Sequence, residues 1–379
     1  MQKILIVIPT YNEAKNIERL VKSIEEVSLQ ESYSLSLLIV DDRSPDGTAK
    51  IINELNHRYG NINLLSANKS GLGQAYIRGF TYALKHIDFD ILLTMDADFS
   101  HNPTDIPLLI RGVDENTDYV IGSRYVTGSK IDPRWSLKRK ILSRIANFIT
   151  RQLIGYGGIE DMTGGFKAIK RSALAAINLK ELAVNGYIFQ VSLLNACLRQ
   201  GLTVREVPIN FSEREYGKSK LRIRDVLEFC YKAYMLNPDT SIHKIIRFGT
   251  VGMFGTIVNL SILSILVKEV GVGALIADLI AIEVSILFNF SLNHYYTFQS
   301  NKSSSFKLNT EYLFSLAKKA IKFNLGAAGG ATISFTVFTL LFRLIGLQYL
   351  VADILAISTA MSWNYFISIR FVWKVIDAQ

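Results

Sequence analysis

The sequence predicts two successive architectures: an α/β domain with a parallel sheet, then an all-α domain of four membrane-spanning helices. Three observations lead there. Strand-length apolar runs alternate with amphipathic helical periodicity through about the first 125 of 379 residues. From Phe248 onward this gives way to four apolar stretches, each near the roughly 20 residues needed to cross a bilayer. Only 20% of residues are charged and 49% are apolar, with mean hydropathy +0.22. Soluble globular proteins carry about a quarter charged residues.

Ile4–Ile8 is the first apolar run, and Ile17, Leu20, Val21, Ile24 and Val27 then recur at helical spacing. Leu35–Val40 is a second strand ending in Asp41-Asp42, with a helix near Thr48–Arg58 after it. Ile62–Ala67 is a third strand, Gln74–His86 a helix, Ile91–Met95 a fourth strand and Tyr119–Gly122 a fifth. Such alternation implies a parallel sheet covered on both faces. Ligands of these sheets bind beyond the carboxyl ends of the strands. Asp41, Asp42, Asp96 and Asp98 fall there.

Residues 126–237 are mixed. Lys138–Leu153 is a basic amphipathic helix with Ile141, Leu142, Ile145, Phe148, Ile149 and Leu153 on one side. Leu221–Leu236 is a second amphipathic helix. Each suits either a membrane interface or a surface packed on the sheet. The expected division is 1–220 catalytic, 221–244 interfacial helix and linker, and 245–375 transmembrane, with spans near 248–267, 272–292, 323–342 and 347–369. The connector 293–322 carries Lys302, Lys307, Lys318, Lys319 and Lys322 against Glu311 alone. The positive-inside rule therefore puts the connector, the first domain and the Arg370/Lys374 tail in the cytoplasm of a multi-pass cell-membrane protein.

The membrane half also repeats itself. An ungapped offset of 75 residues aligns Arg247 with Lys322, Gly255 with Gly330, Lys268 with Arg343, Gly271 with Gly346, Asp278 with Asp353 and Asn289 with Asn364. Rare polar residues in one register imply a duplicated helical hairpin. A carboxylate at a span's centre costs about 2.5–3.5 kcal/mol on insertion scales. Asp278 and Asp353 either reach the outer interface or line a polar cleft, to which the deeper Glu283 would belong.

Composition excludes intrinsic disorder. Lys and Arg outnumber Asp and Glu by 42 to 33, which suits anionic partners. The two cysteines, Cys197 and Cys230, lie in apolar helical runs. A disulfide scaffold or thiolate zinc site does not fit, and a reducing compartment does. The apolar run Ile4–Pro9 is shorter than a signal core of about 7–15 residues, so no cleavable targeting segment is expected.

The chemistry concentrates at the strand ends. Two carboxylates one residue apart in Asp96-Ala97-Asp98 can hold a hard cation and through it a diphosphate; alternatively they cap the helix after Pro103. Asp41-Asp42-Arg43-Ser44-Pro45-Asp46-Gly47 suits ribose or base contacts, or capping of the next helix. Gly71-Leu72-Gly73 before a helix is a weak phosphate-approach signal.

Taken in order, Pro9-Thr10-Tyr11-Asn12-Glu13, Val40-Asp41-Asp42, Asp96-Ala97-Asp98 and Gly122-Ser123-Arg124-Tyr125 resemble the family 2 glycosyltransferases, in particular dolichol- or polyprenyl-phosphate mannose synthases. Asp161-Met162-Thr163-Gly164-Gly165-Phe166 resembles that family's Asp-x-Thr-Ser-Gly-Phe segment, with Gly for Ser. Arg214 followed by Gly217, Lys218, Ser219 and Lys220 resembles its Arg-x-x-Gly-x-Ser-Lys segment. Residues 245–375 resemble the GtrA-like membrane family.

The resemblance implies a GT-A (Rossmann-like) domain whose nucleotide-sugar pocket is formed by Pro9, Tyr11, Glu13, Val40, Asp42, Asp96, Ala97, Asp98, Arg124, Arg214 and Lys220. Asp96, Asp98 and Arg124 are its catalytic candidates. Mg2+ or Mn2+ is the implied cofactor, on Asp96 and Asp98. Ser100 stands where some members place a Gln ligand, and it is a weaker one. Lys138, Arg139 and Ser219 are the candidates for the acceptor phosphate.

The implied activity is of the dolichyl-phosphate β-D-mannosyltransferase type, passing mannose from GDP-mannose to polyprenyl or dolichyl phosphate with inversion. A phosphomonoester has a second pKa of about 6, so the acceptor is anionic at neutral pH and needs no general base. Positive charge is what the two approaching phosphates require. UDP-glucose-dependent glucosyl transfer and a lipid-linked-sugar flippase with an accessory enzyme domain are the alternatives. A processive polysaccharide synthase fails on its Gln-x-x-Arg-Trp motif, because Ile131 precedes Arg134-Trp135 by the required spacing. The expected partners are the nucleotide sugar, the lipid phosphate and the bilayer, with no nucleic acid; a homo-oligomer is compatible.

Overall fold

The structure, a computed structural model, describes residues 1–182, 188–213, 223–237, 240–298 and 310–374. Contacts divide the chain into two compact units, Met1–Thr240 and Ser241–Gln379.

In the first unit β1 (Gln2–Thr10) leads through α1 (Ile17–Ser28) to β2 (Tyr33–Asp41), α2 (Thr48–Tyr59) and β3 (Ile62–Ser66). After these come α3 (Leu72–His86), β4 (Ile91–Thr94), α4 (Ile106–Gly112), β5 (Tyr119–Ser123) and β6 (Lys130–Ile131). The unit continues with α5 (Leu137–Ile154), β7 (Lys167–Lys170), α6 (Arg171–Ala175) and α7 (Ile188–Arg199). It ends on β8 (Val204–Pro208), β9 (Asn210–Phe211) and α8 (Ile223–Leu236).

Seven strands form one sheet in the order β3-β2-β1-β4-β7-β5-β8. Ile4, Leu5, Ile6, Val7 and Ile8 are all buried, because a central parallel strand covered by helices on both faces has no polar side. The sheet is mixed rather than wholly parallel. β7 runs antiparallel to both β4 and β5, entering from the long α5 crossover instead of from a short βα unit. The other pairings are parallel, with Thr10 beside Asp41 and Val7 beside Thr94. This register gathers the carboxyl ends of β1, β2, β4 and β5 on one edge.

α5 begins at Ser136, whose hydroxyl accepts from the Arg139 N–H at 3.3 Å, and ends at Gly155. Its apolar side is left open except at its C-terminal end, where Leu153 is buried. Ile141, Leu142, Ile145, Phe148 and Ile149 are exposed, while α8 packs against α5 and α7.

The second unit holds α9 (Ser241–Lys268), α10 (Ala274–Leu292), α11 (Thr310–Thr339) and α12 (Tyr349–Ile367). With their terminal turns they run 28, 24, 35 and 24 residues. All four are long and apolar enough to cross a bilayer, since 24 residues at 1.5 Å each span about 36 Å. α9 begins seven residues before the apolar stretch at Phe248, through the polar turns around Ser241, His243, Lys244 and Arg247. α9 packs on α10, and α11 on α12.

The two hairpins match in detail at the 75-residue spacing. Gly271 and Gly346 each have φ +75° in the connecting turn. A wider π turn begins at Asn293 in one hairpin and at Ser368 in the other. The Asn289 side chain lies over Gly255, and that of Asn364 over Gly330. A Cβ built on these glycines would stand 2.2 and 2.3 Å from the respective Oδ1 atoms. Overpacking of this kind costs about 1–3 kcal/mol. Gly255→Ala and Gly330→Ala should therefore each lower the thermal midpoint in detergent, and pairing Gly255→Ala with Asn289→Ala should restore most of the loss. Unchanged midpoints in both single variants would contradict the contact.

Asp278 and Asp353 are each the fifth residue of their helix and are exposed. That places them about 6 Å from the helix start, within reach of the interface. Glu283 instead accepts two contacts from the Asn324 amide, at 2.7 and 2.9 Å, joining α10 to α11.

Candidate active site

Three loops at the sheet edge build the site, after β1, β2 and β4. Each holds a non-glycine residue with positive φ: Asn12 at 64°, Arg43 at 49° and Phe99 at 62°. Backbone strain of this sort persists where surrounding contacts fix it, and it clusters at functional sites.

The β2 loop is held from within. Asp41 is buried and accepts from the Thr10 hydroxyl at 2.9 Å, the Ser44 hydroxyl at 2.6 Å and the Ser44 N–H at 2.9 Å. Asp46 accepts from the Thr48 hydroxyl at 2.6 Å and N–H at 3.1 Å at the start of α2, and from the Ala14 N–H at 3.0 Å. Asp42 accepts from the Ser70 N–H at 3.2 Å and from the Arg78 guanidinium. Pro9 pairs with Val40 at the ends of β1 and β2, and the Val40 side chain is buried in the core. Tyr11 is exposed, with the Lys69 ammonium 3.4 Å from its ring centre.

Asp96 and Asp98 follow β4 directly. The Asp96 N–H donates to His101 Nδ1 at 3.1 Å, and the Tyr76 hydroxyl donates to its carboxylate at 3.4 Å. Asp98 accepts from the Ser100 N–H at 3.0 Å and from the Ser100 hydroxyl. Ala97 is buried. Glu13 lies within electrostatic reach of this pair. Burial raises its carboxyl above the ordinary value, opposed by the Asn16 amide at 2.7 Å and reinforced by Asp98, Asp46 and Asp96. Four carboxylates thus share one region of negative potential. His101 is buried, which keeps its pKa below the ordinary value and the ring neutral, and it stacks on Phe166 at 4.9 Å. With Nδ1 already accepting, it anchors the Asp96 backbone and is not an available base there.

Arg124, just after β5, is locked to Asp161. Its Nε donates at 2.7 Å, its Nη2 at 2.6 Å and its backbone N–H at 3.0 Å, and Nη2 also reaches the Thr163 hydroxyl at 2.8 Å. Asp161 is fully buried; burial opposes its ionisation, but Arg124 outweighs it and holds the carboxyl below the ordinary range. Arg124 Nη1 makes no hydrogen bond among the described residues, and the side chain stays charged beside Asp161.

Among the basic candidates, Lys138 is exposed in the first turn of α5. Arg139 is paired with Glu213 at 2.6 and 2.7 Å and lies over Trp135 at 3.7 Å. Arg214, Ser219 and Lys220 lie outside the described residues. A cavity of about 400 Å³ is lined by Tyr125, Arg144, Ile145, Asn147, Phe148, Arg151 and Glu160.

Several site residues carry no sequence signal of their own. Tyr76 and Arg78, both on α3, touch Asp96 and Asp42 from 20 and 36 residues away. Lys167 is buried in β7, where desolvation lowers its pKa to about 7 and its ammonium donates to the Gln190 carbonyl at 2.8 Å. The Gly71-Leu72-Gly73 signal at the start of α3 is a weak one for phosphate approach and does not point to these side chains.

Family models match both units: glycosyl transferase family 2 over residues 5–177, and the GtrA/DPMS transmembrane domain over residues 247–373. A dolichol-phosphate mannosyltransferase of Pyrococcus furiosus is 32% identical over 373 residues, covering 98% of this chain and 99% of that one. A polyprenol monophosphomannose synthase of Mycolicibacterium smegmatis is 38% identical over 241 residues, covering 61% of this chain and 85% of that one. A solved glucosyl-3-phosphoglycerate synthase from Mycobacterium tuberculosis is similar at 20% identity and TM-score 0.44 over 62% of this chain and 77% of that one, a likeness too slight to bear on function. With a relative matched along nearly its whole length, the chain belongs to the dolichol-phosphate mannosyltransferase family: a family 2 glycosyltransferase domain joined to a GtrA/DPMS transmembrane domain.

Proposed function

We propose that the protein transfers mannose from GDP-mannose to the phosphate of a polyprenyl or dolichyl lipid, by a single inverting displacement at the cytoplasmic face of the cell membrane. The observation that carries this is the Asp96/Asp98 pair, which stands just after β4 within electrostatic reach of Glu13, in a chain that also holds four membrane-length helices.

The donor set suits a hard divalent cation. Among the described residues no three His, Cys, Asp or Glu side chains form a complete metal cage. Mg2+ and Mn2+ are commonly held by one or two carboxylates together with substrate phosphates. Asp96 and Asp98 would supply those carboxylates, with the Ser100 hydroxyl bonded to Asp98 in support. Such an ion, when bound, supplies positive charge to the leaving diphosphate. Tyr11 offers an aromatic face to the base, and Asp42 a buried carboxylate to the ribose. Arg124, its charge balanced by Asp161, presents Nη1 to the reacting phosphates, and Lys138 adds charge at the membrane side. Arg139, Arg214, Ser219 and Lys220 complete the anion-binding set. The acceptor is already ionised, so no side chain has to remove a proton.

The exposed apolar side of α5 supports an interfacial role for that helix, dipping into the headgroup region where the lipid phosphate lies. The test is purified protein in detergent, offered polyprenyl phosphate and a panel of radiolabelled nucleotide sugars, with extraction of labelled lipid. Label from GDP-mannose well above every other donor is expected. Preferential label from UDP-glucose would replace mannosyl with glucosyl transfer, and no labelled lipid from any donor would contradict a transferase.

A further inference from the structure

We propose that Gln190 reads two adjacent hydroxyls of the donor sugar and so sets sugar specificity. This inference rests on the mannosyl-transfer reading above and assigns a role to a side chain outside the motifs. Gln190 is the third residue of α7 and is 5% exposed. Its backbone carbonyl is spoken for, accepting from Lys167 Nζ, which fixes the first turn of α7 against β7. Its side chain is not: neither Oε1 nor Nε2 has a hydrogen-bond partner among the described residues. Buried amides are nearly always paired, so one left open at both ends calls for a ligand.

The amide and the Asp96 carboxylate both lie beside Gly165. A Cβ built on Gly165 would lie 3.5 Å from Gln190 Nε2, 3.6 Å from Asp96 Oδ2 and 3.3 Å from His101 Cε1. Both groups therefore lie within contact distance of the position that a side chain on Gly165 would take. His101 does not serve the amide as a partner, because its Nδ1 is taken by the Asp96 N–H. Lys167 does not either, since its ammonium is turned to the α7 backbone. On the mannosyl-transfer reading Asp96 and Asp98 place the donor diphosphate, and the sugar is bonded directly to that diphosphate, so the sugar ring comes next to Gly165.

An amide presents a donor and an acceptor side by side, whereas a carboxylate only accepts and an ammonium only donates. Its complement is a vicinal diol: one hydroxyl oxygen accepts from Nε2–H while the neighbouring hydroxyl donates to Oε1. A site built this way rejects a sugar that lacks either hydroxyl, because the buried amide is then left open.

The experiment compares GDP-mannose with its 2-, 3-, 4- and 6-deoxy analogues as donors, for wild type and for Gln190→Met. GDP affinity, which involves no sugar contact, reports whether the variant is folded. For wild type, kcat/KM is expected to fall by about 100-fold or more at two adjacent deoxy positions. Gln190→Met is expected to bind GDP as wild type does, to use GDP-mannose about 100-fold less well, and to lose the penalty at those two positions. Wild type that accepts all four deoxy donors within a few-fold overturns the proposal, as does a variant that keeps the wild-type penalties. Should Gln190→Met not bind GDP, Gly165→Ala takes its place, its methyl group shielding the amide; lost penalties support the proposal and retained ones overturn it. If wild type labels lipid only from another nucleotide sugar, it is the mannosyl reading that fails, and the deoxy series of that sugar decides the role of Gln190.

Discussion

Replacing Asp98 with Asn should reduce turnover by about 100-fold or more, with the thermal midpoint unchanged. Asn keeps the shape of the side chain and an oxygen that can accept from the Ser100 N–H, as the carboxylate does at 3.0 Å. What it removes is the negative charge that, with Asp96, would hold the cation and its diphosphate under the proposed function. Charge stabilisation of a leaving group is commonly worth about 10²–10³ in rate for one interaction. Glu13 cannot substitute, since burial and the Asn16 contact already commit its carboxyl. Initial rates with a saturating lipid acceptor provide the check. Wild-type turnover in Asp98→Asn, or full wild-type activity in excess chelator, would contradict the assignment.

Asp161→Ala should cost about 3–5 kcal/mol of stability, the range for breaking a buried ion pair from one side. Arg124 would keep its charge in a site where its side chain is 11% exposed and that of Asp161 is not exposed at all. Three donors that now meet the Asp161 carboxylate would lose their acceptor. The pair holds the carboxyl below its ordinary value of 3.8. Its stabilisation is therefore present in full above that value and disappears as the pH falls through the lower folded value. Chemical unfolding at neutral pH tests the prediction, and a loss below about 1 kcal/mol would show that the pair is no more than a solvated surface contact.

The strand core and the carboxylate motifs were legible because each is local. Ile4–Ile8 needs only neighbouring residues to be read as a buried strand, and Asp96 and Asp98 follow Ile91–Met95 without a gap. β7 was not legible: Lys-Ala-Ile-Lys at 167–170 has neither an apolar run nor a turn signal. It is a strand because β4 and β5 leave a slot between them, and that is a tertiary fact. The commitment of Arg124 to Asp161 spans 37 residues, and the meeting of the Gln190 amide and Asp96 at Gly165 joins residues 94 apart. Neither distance leaves a trace in spacing or composition. The repeat in the membrane half was readable for the opposite reason. Apolar helices carry few polar residues, so Asn289 with Asn364 and Gly255 with Gly330 stand out in register, and the structure gives each pair the same contact.

Mannosyl transfer to a lipid phosphate by one inverting displacement, as proposed above, leaves its record in the structure of the lipid product. Enzyme in detergent, GDP-mannose and a short polyprenyl phosphate would be incubated, and the extracted product characterised by mass spectrometry and NMR. The expected product is a mannosyl phosphodiester of the polyprenol with the β-anomeric configuration, opposite to that of the donor. A product with the donor's α configuration, or absence of a mannosyl phosphodiester when the enzyme is folded and binds GDP, would contradict it.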